Sequence, residues 1–288
     1  MAELRVLLFG MTGLGNGVLR GLLDIPSVRV TGVVCPRPEP GPFPHYPCRK
    51  IEDEASERGV PVLPGVDLSD PTQTARLADL GADLLVVGSF RKILPAAVIA
   101  LPGLGAINVH PSLLPRYRGA TPTVWAILNG ETETGVTVHF IEDERLDAGP
   151  VIVQRRIALT SEDTDGSLRR RLAELARALV PEAVAAVVAR PRKDFSPQDE
   201  SKSSWFPKRT LADAQLDPSR PLPELRRRIR AMSPWPGARL RQEEREYIVT
   251  EVNEVNTSEP HPQGLQGTSV LRLRNGSRTL SFMTAHEA

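Results

Sequence analysis

Leu4-Arg5-Val6-Leu7-Leu8-Phe9, followed at once by Gly10-Met11-Thr12-Gly13-Leu14-Gly15-Asn16-Gly17, is the stretch on which the fold turns. A short, nearly unbroken apolar run reads as a strand buried on both faces. The glycines after it suit a tight strand-to-helix turn, and Asn16–Leu23 has the length of a helix. Such a turn invites a nucleotide reading, but neither GxGxxG nor GxxxxGK[ST] fits. The third glycine of the first pattern would fall on Val18 or Arg20, and Asn16 stands where the lysine of the second is required. NAD and ATP are therefore not expected.

Further strands are read at Val28–Val34, Val60–Leu63, Asp83–Val87, Gly105–Val109, Gly135–Ile141 and Val151–Ile157. Between them, Ile51–Glu57, Pro71–Leu80 and Pro122–Leu128 read as helices. Apolar strands alternating with helical crossovers imply an α/β fold on a mainly parallel sheet. Thr164 to Val188 forms a long helix opened by Ser161-Glu162-Asp163-Thr164, with Leu168, Leu172, Leu175, Leu179 and Val180 on one face. These elements place a first domain at 1–189. Residues 190–207, rich in Pro, Ser, Lys and Asp, read as a linker. The remainder, 208–288, carries a helix at Pro223–Met232 and strands at Arg239–Arg241, Tyr247–Val255, Thr268–Arg274 and Thr279–Met283, with Asn275-Gly276 as a hairpin turn. A small β-barrel or partial barrel is expected there.

The 288 residues, 40% hydrophobic and 25% charged, have the balance of a soluble globular protein. No apolar run approaches the ~20 residues of a membrane span, and the start lacks the features of a signal peptide. Cys35 and Cys48 form no CxxC pair, so neither a disulfide scaffold nor a zinc site is expected, and the cytoplasm is the default address. Charge is uneven: residues 1–189 carry 19 basic and 22 acidic side chains, residues 190–250 carry 14 and 9. A phosphate-rich partner or a solvated arginine-rich helix face would each account for the basic segment.

The informative region is Asn108-Val109-His110-Pro111-Ser112-Leu113-Leu114-Pro115-Arg116-Tyr117-Arg118-Gly119. Asn108 and His110, two apart at a strand end, project to the same side, where α/β folds place their ligand crevice. Asn supplies an amide donor whose charge does not vary with pH, and His titrates near neutrality. The prolines after them suit a fixed loop bounding a cleft. A histidine satisfied by a backbone carbonyl is the structural alternative. Downstream, Asp147-Ala148-Gly149-Pro150 is good turn chemistry, and its carboxylate could also orient His110 and raise its pKa.

Asn108-Val109-His110, Ser112-Leu113-Leu114-Pro115 with Gly119, and Asp147-Ala148-Gly149 together resemble the signature of the tetrahydrofolate-dependent formyltransferases, most clearly from about Leu84 to Thr164. The resemblance implies a Rossmann-like sheet with helices on both faces and a small OB-like C-terminal domain. It implies 10-formyltetrahydrofolate as co-substrate, no metal, and an Asn–His–Asp triad at Asn108, His110 and Asp147. The substrate loop would comprise Ser112, Leu113, Leu114, Pro115 and Gly119. The folate pocket would be lined by Phe90, Arg91, Lys92, Ile93, Leu94, Ile141, Asp143 and Asp147; Arg91-Lys92 departs from a loop that is usually more apolar. Asn108 and protonated His110 would donate to the oxygen of the attacked formyl group, each such donor being worth ~10²–10³ in rate. Asp147 would hold His110 charged.

The acceptor stays open. Arg230-Ala231-Met232-Ser233-Pro234-Trp235-Pro236-Gly237-Ala238 resembles the start of the C-terminal domain of family members that formylate methionyl-tRNA and of some that formylate amino sugars. Arg226-Arg227-Arg228 suits an initiator tRNA phosphate contact. Against that, the Cys35–Cys48 loop is rich in Pro and poor in Lys and Arg. Trp205-Phe206-Pro207-Lys208-Arg209 is closer to the sugar enzymes. The amine of methionyl-tRNA stands first, a nucleotide-linked amino sugar second, and water, as in a 10-formyltetrahydrofolate hydrolase, third.

Overall fold

The computed structural model describes residues 3–37, 47–254, 269–275 and 278–287. Most of the Cys35–Cys48 loop and the glycine of Asn275-Gly276 lie outside the described residues. The chain divides into two units, the first holding residues 1–122, 133–158 and 169–206, the second 123–132, 159–168 and 207–288.

In the first unit β1 (Leu4–Gly10) leads through α1 (Leu14–Leu23) to β2 (Val28–Cys35), and α2 (Ile51–Glu57) to β3 (Val62–Pro64). α3 (Pro71–Asp79) precedes β4 (Leu84–Gly88), and α4 (Ala96–Ile99) precedes β5 (Ala106–His110). After β6 (Arg118–Gly119) come β7 (Glu133–Ile141), β8 (Val151–Ala158) and the long α6 (Asp165–Ala189), whose residues up to 168 fall in the second unit, as does α5 (Pro122–Leu128) after its first residue. Seven of the strands form one sheet in the order β3-β2-β1-β4-β5-β7-β8. The pairs from β3 through β5 are parallel, and the pairs β5–β7 and β7–β8 are antiparallel. The sheet is thus mainly parallel, as the apolar strand pattern predicts. β3, only three residues long and closed by Pro64, forms one edge. β8 forms the other, with Gln154, Arg155 and Arg156 exposed.

Side-chain alternation along the strands supplies both faces of the sheet. Leu7 and Phe9 of β1 and Leu85 and Val87 of β4 bury against Leu77 of α3 and Val98 and Ile99 of α4. On the opposite face lies α1: a Cβ on Gly88 would come within 2.8 Å of Val18 Cγ2. The glycines of α1 serve close packing. A Cβ on Gly17 would strike the Ala173 carbonyl of α6, and one on Gly21 would lie 2.6 Å from the Arg177 carbonyl. Asn16, which breaks the P-loop pattern, donates from Nδ2 to the buried Glu54 at 2.7 Å and accepts from the Gly13 N–H at 2.8 Å.

Residues 190–207, expected as a linker, are locally structured. Two 3-10 turns at Arg192–Asp194 and Glu200–Lys202 lead to β9 (Trp205–Phe206), which pairs in parallel with β6. Composition alone does not show this local structure, because its bonds go to residues about 80 positions away, as from Arg118 to Gln198.

The second unit holds α7 (Leu222–Ala231), β10 (Ala238–Gln242), β11 (Arg245–Glu254), β12 (Ser269–Asn275) and β13 (Arg278–Glu287). Its strands form an antiparallel sheet in the order β10-β11-β13-β12 around buried Leu225, Ile229, Leu240, Val249, Val252, Leu280 and Phe282. A small β domain is therefore present; among the described residues no pair joins β10 to β12 to close a barrel. Arg209 and Asp165 are a buried ion pair at 2.8 Å, and Thr123 donates to the same carboxylate at 2.6 Å. Among the described residues no helix is long and apolar enough to cross a membrane.

Candidate active site

β5 ends at His110, so Asn108 and His110 stand at its carboxyl end on one face. Antiparallel pairing with β7 sets Asn108 opposite His139 and His110 opposite Thr137. The turn between β7 and β8 then brings Asp147 back to the same place. Asp147 has φ 55°, a left-handed conformation that Asp tolerates better than most residues with a Cβ. A Cβ on Gly149 would strike the Phe140 carbonyl, so the turn Asp147-Ala148-Gly149-Pro150 requires glycine at that position.

Asp147 is the junction of the site. Its Oδ1 accepts from Asn108 Nδ2 at 3.0 Å and lies 3.3 Å from His110 Nδ1; its Oδ2 accepts from the Gly119 N–H at 2.9 Å. Gly119, at φ 93°, occupies a conformation that favours glycine. His110 Nε2 donates to the Tyr117 carbonyl at 2.8 Å, so the backbone-satisfied histidine and the carboxylate-paired one are the same residue. Burial by itself disfavours the charged imidazole of His110. The Asp147 charge and hydrogen bond, with the Tyr117 carbonyl, outweigh it and raise its pKa above 6.5. Burial likewise pushes the Asp147 carboxyl up, but the charge and hydrogen bond of His110 pull it well below 3.8. The pair is thus an imidazolium facing a carboxylate over a wide pH range.

His139, buried beside this pair, is a site residue that sequence reading missed. Its Nδ1 donates to the Phe140 carbonyl at 2.8 Å, which leaves Nε2 to accept from Asn108 Nδ2 at 3.2 Å. His139 Nε2 also lies 3.5 Å from Asp147 Oδ1. Asn108 Nδ2 thus stands within hydrogen-bond reach of both Asp147 and His139. Only the strand register could have revealed this, because His139 sits in an apolar run with no motif around it.

The loop after His110 is fixed from below. Thr137 Oγ1 donates to the Ser112 carbonyl at 2.7 Å and accepts from the Leu114 N–H at 3.1 Å, while Gln154 Nε2 donates to the Leu114 carbonyl at 2.9 Å. Ser112 is buried and donates to the Arg116 carbonyl at 2.8 Å. The Leu114–Pro115 peptide is cis. A Cβ on Gly135 would come within 2.6 Å of Leu113 Cδ2. Of the residues expected around a folate, Phe90, Leu94 and Ile141 meet on one apolar cluster, Phe90 packing edge-on to Phe9 at 5.3 Å. Arg91, Lys92 and Ile93 face solvent, and Asp143 is exposed and paired with Arg145 at 2.9 Å. The structure thus brings Asn108, His110 and Asp147 together, packs Phe90, Leu94 and Ile141 on a core cluster, and leaves Arg91, Lys92, Ile93 and Asp143 at the surface. Among the described residues no group of three or more His, Cys, Asp or Glu could hold a metal ion.

Such an arrangement can stabilise an oxygen that gains negative charge and can hold a proton beside it. Residues 46–184 match the formyl transferase family. A methionyl-tRNA formyltransferase from Roseiflexus castenholzii is 36% identical over 237 residues, covering 82% of this chain and 75% of that protein. Two solved structures share the fold. An N-formyltransferase from Helicobacter canadensis, in complex with folinic acid and dTDP-3-aminofucose, has a TM-score of 0.66 at 16% identity over the whole of both chains. HypX from Aquifex aeolicus, in complex with tetrahydrofolic acid, has a TM-score of 0.65 at 19% identity over 98% of this chain and 44% of its own.

Proposed function

Because the chain belongs to the formyl transferase family, we propose that it transfers the formyl group of 10-formyltetrahydrofolate to an amine, the α-amino group of methionyl-tRNA being the acceptor. The observation that carries this reading is the convergence on Asp147 Oδ1 of an amide at 3.0 Å and an imidazole at 3.3 Å. The residues suit a formylated folate: polar donors stand at the carboxyl end of β5, and Phe90 and Ile141, only partly buried, are apolar side chains that a flat ring could pack on. The folate supplies the formyl carbon as an electrophile.

The roles of the side chains follow. Asn108 Nδ2, on releasing His139 Nε2, donates to the formyl oxygen as charge builds there. That bond is the one to release, because it is longer by 0.2 Å than the bond to the Asp147 carboxylate. His110, kept protonated by Asp147, places positive charge beside the same oxygen. Asp147 holds a proton-bearing group at Oδ1 while the acceptor nitrogen loses a proton and the departing nitrogen gains one.

A second reading, a nucleotide-linked amino sugar as acceptor, draws support from the basic segment. Each arginine of the 226–228 triplet is tied to the second unit itself: Arg226 to the Val252 carbonyl at 3.2 Å and Asn253 at 2.6 Å, Arg227 to the Leu128 carbonyl at 3.2 Å, Arg228 to the Asp213 carbonyl at 2.6 Å. Guanidiniums so engaged have fewer N–H groups left for phosphates. The deciding experiment incubates the protein with 10-formyltetrahydrofolate and, in turn, charged initiator tRNA and amino-sugar nucleotides, with products read by mass spectrometry. A formylated aminoacyl-tRNA, with affinity falling steeply as salt rises, supports the first reading. A formylated amino sugar at salt-insensitive rates supports the second. Donor consumed at the same rate without any acceptor makes water the acceptor, and no donor consumption under any condition overturns formyl transfer.

A further inference from the structure

Gln198 lies in the stretch whose composition suggests a linker, yet its side chain is only 8% exposed. Its carboxamide is fully engaged. Oε1 accepts from Arg118 Nε at 3.2 Å and Nη2 at 2.9 Å, and Nε2 donates to the carbonyls of Asp147 and Gly149, both at 2.8 Å. Since a guanidinium offers donors only and a carbonyl accepts only, the amide has one orientation that satisfies all four contacts. Arg118 is held in turn by Glu200 at 2.7 Å, and the residue after it, Gly119, donates its N–H to Asp147 Oδ2.

The peptide that Gln198 grips is the one with φ 55°. A left-handed Asp costs free energy and persists only where its surroundings fix it. Of the contacts to the backbone carbonyl of Asp147, the one from Gln198 comes from a buried side chain with no freedom to turn. The carboxylate that meets Asn108 and His110 hangs from that same residue. We propose that Gln198 is a positioning residue for the reaction: by clamping the Asp147 and Gly149 carbonyls it keeps Asp147 left-handed and so sets where Asp147 Oδ1 stands between Asn108 and His110. The inference rests on the reading of Asp147 and His110 as the reacting pair. It adds that residues 198–206 belong to the active site, since Ser204 also anchors Tyr117 by accepting its N–H at 2.9 Å and Phe206 stacks on the Tyr117 ring at 4.9 Å.

The test uses the full chain with Gln198→Met, which keeps size and removes all four bonds, and Gln198→Glu, which keeps an acceptor for Arg118 and removes the donors to the two carbonyls. A displacement of about 1 Å at a reacting group costs on the order of 10² in rate. Both variants should lose ~10–10²-fold in kcat with KM for the formyl donor within about twofold. The second readout needs no substrate: NMR titration of the histidine ring signals, assigned with His110→Asn and His139→Gln. The ionisable groups that bear on His110 are Asp147, 3.3 Å away, and His139, 3.5 Å from the same carboxylate oxygen. In both variants the His110 titration should move to lower pH as the carboxylate drifts away. If formyl transfer is the wrong reaction, the rates become meaningless but the titration shift remains, so the two failures are distinguishable. Unchanged kcat and unchanged His110 titration in variants that are folded by circular dichroism would overturn the proposal. Loss of folding in both would overturn it too, since Gln198 would then serve stability rather than position.

Discussion

Asp147→Asn is the substitution from which the site has most to lose. Three donors converge on the carboxylate: Asn108 Nδ2 and His110 Nδ1 on Oδ1, and the Gly119 N–H on Oδ2. Asparagine replaces one oxygen by an NH2, so in either amide orientation a donor faces a donor, at a cost of roughly 1–3 kcal/mol. Removing the charge is the larger effect. The side chains of His110 and Asp147 are 5% and 10% exposed, and stripping one partner from a buried pair costs about 3–5 kcal/mol. Taking about 3 kcal/mol as the share that falls on the charged imidazole, at about 1.4 kcal/mol per decade, gives a loss of ~10² in rate. The pKa of His110 should fall, because burial would act against the charged form with only the Tyr117 carbonyl left to oppose it.

The same pair makes stability depend on pH, with opposite signs at its two ends. His110, raised in the folded state, contributes stability that is full below its ordinary 6.5 and is lost as pH rises through the raised value. Asp147, lowered in the folded state, contributes stability that is full above its ordinary 3.8 and is lost as pH falls through the lowered value. The difference in melting temperature between the native protein and Asp147→Asn should therefore be greatest between pH 3.8 and 6.5. The assay is donor turnover against the acceptor panel from about pH 5 to 9, with thermal melts on the same samples. A rate within about threefold of the native protein across that range would refute the reasoning, since no step could then depend on the carboxylate charge.

Other substitutions test the packing. Gly149→Ala drives a methyl group into the Phe140 carbonyl and should cost about 1–3 kcal/mol, read as a fall in melting temperature; an unchanged melt would mean the turn can shift freely. Arg209→Ala strands the buried Asp165 and should cost about 3–5 kcal/mol, whereas Arg156→Ala, which breaks an exposed pair with Glu133, should stay within about 1 kcal/mol; denaturant melts rank the two. Burial pushes the Cys35 thiol up to about 12, while Cys48 is exposed. An alkylating reagent at pH 8 should therefore label Cys48 alone until the protein is unfolded, and equal labelling of both in mass spectra would contradict the burial of Cys35.

What could be read in the sequence was local or motif-borne. Asn108 and His110 share a face because they are two apart on a strand, and the Asp147 turn announces itself by its small residues. The parallel part of the sheet is visible as unbroken apolar runs. What could not be read depends on pairing at a distance. His139 becomes a site residue only through the β5–β7 register, and Gln198 only because residues 190–207 fold back on β6 and the Asp147 turn. The arginines at 226–228 look available in sequence, but local charge cannot show that carbonyls of the same unit already occupy them.

The two margins of the seven-stranded sheet bear on how the protein behaves when crowded. An unpaired strand offers a row of free N–H and C=O groups to any passing chain, and aggregation begins at such places. β3 is too short to act as a template and ends in proline. β8 is long enough, but Arg155 and Arg156 put exposed charge on it, paired with Glu182 and Glu133. Replacing both arginines by valine would leave each unit's interior untouched while turning that margin into an adhesive strip. Solubility at high concentration should therefore fall when those two surface guanidiniums are replaced.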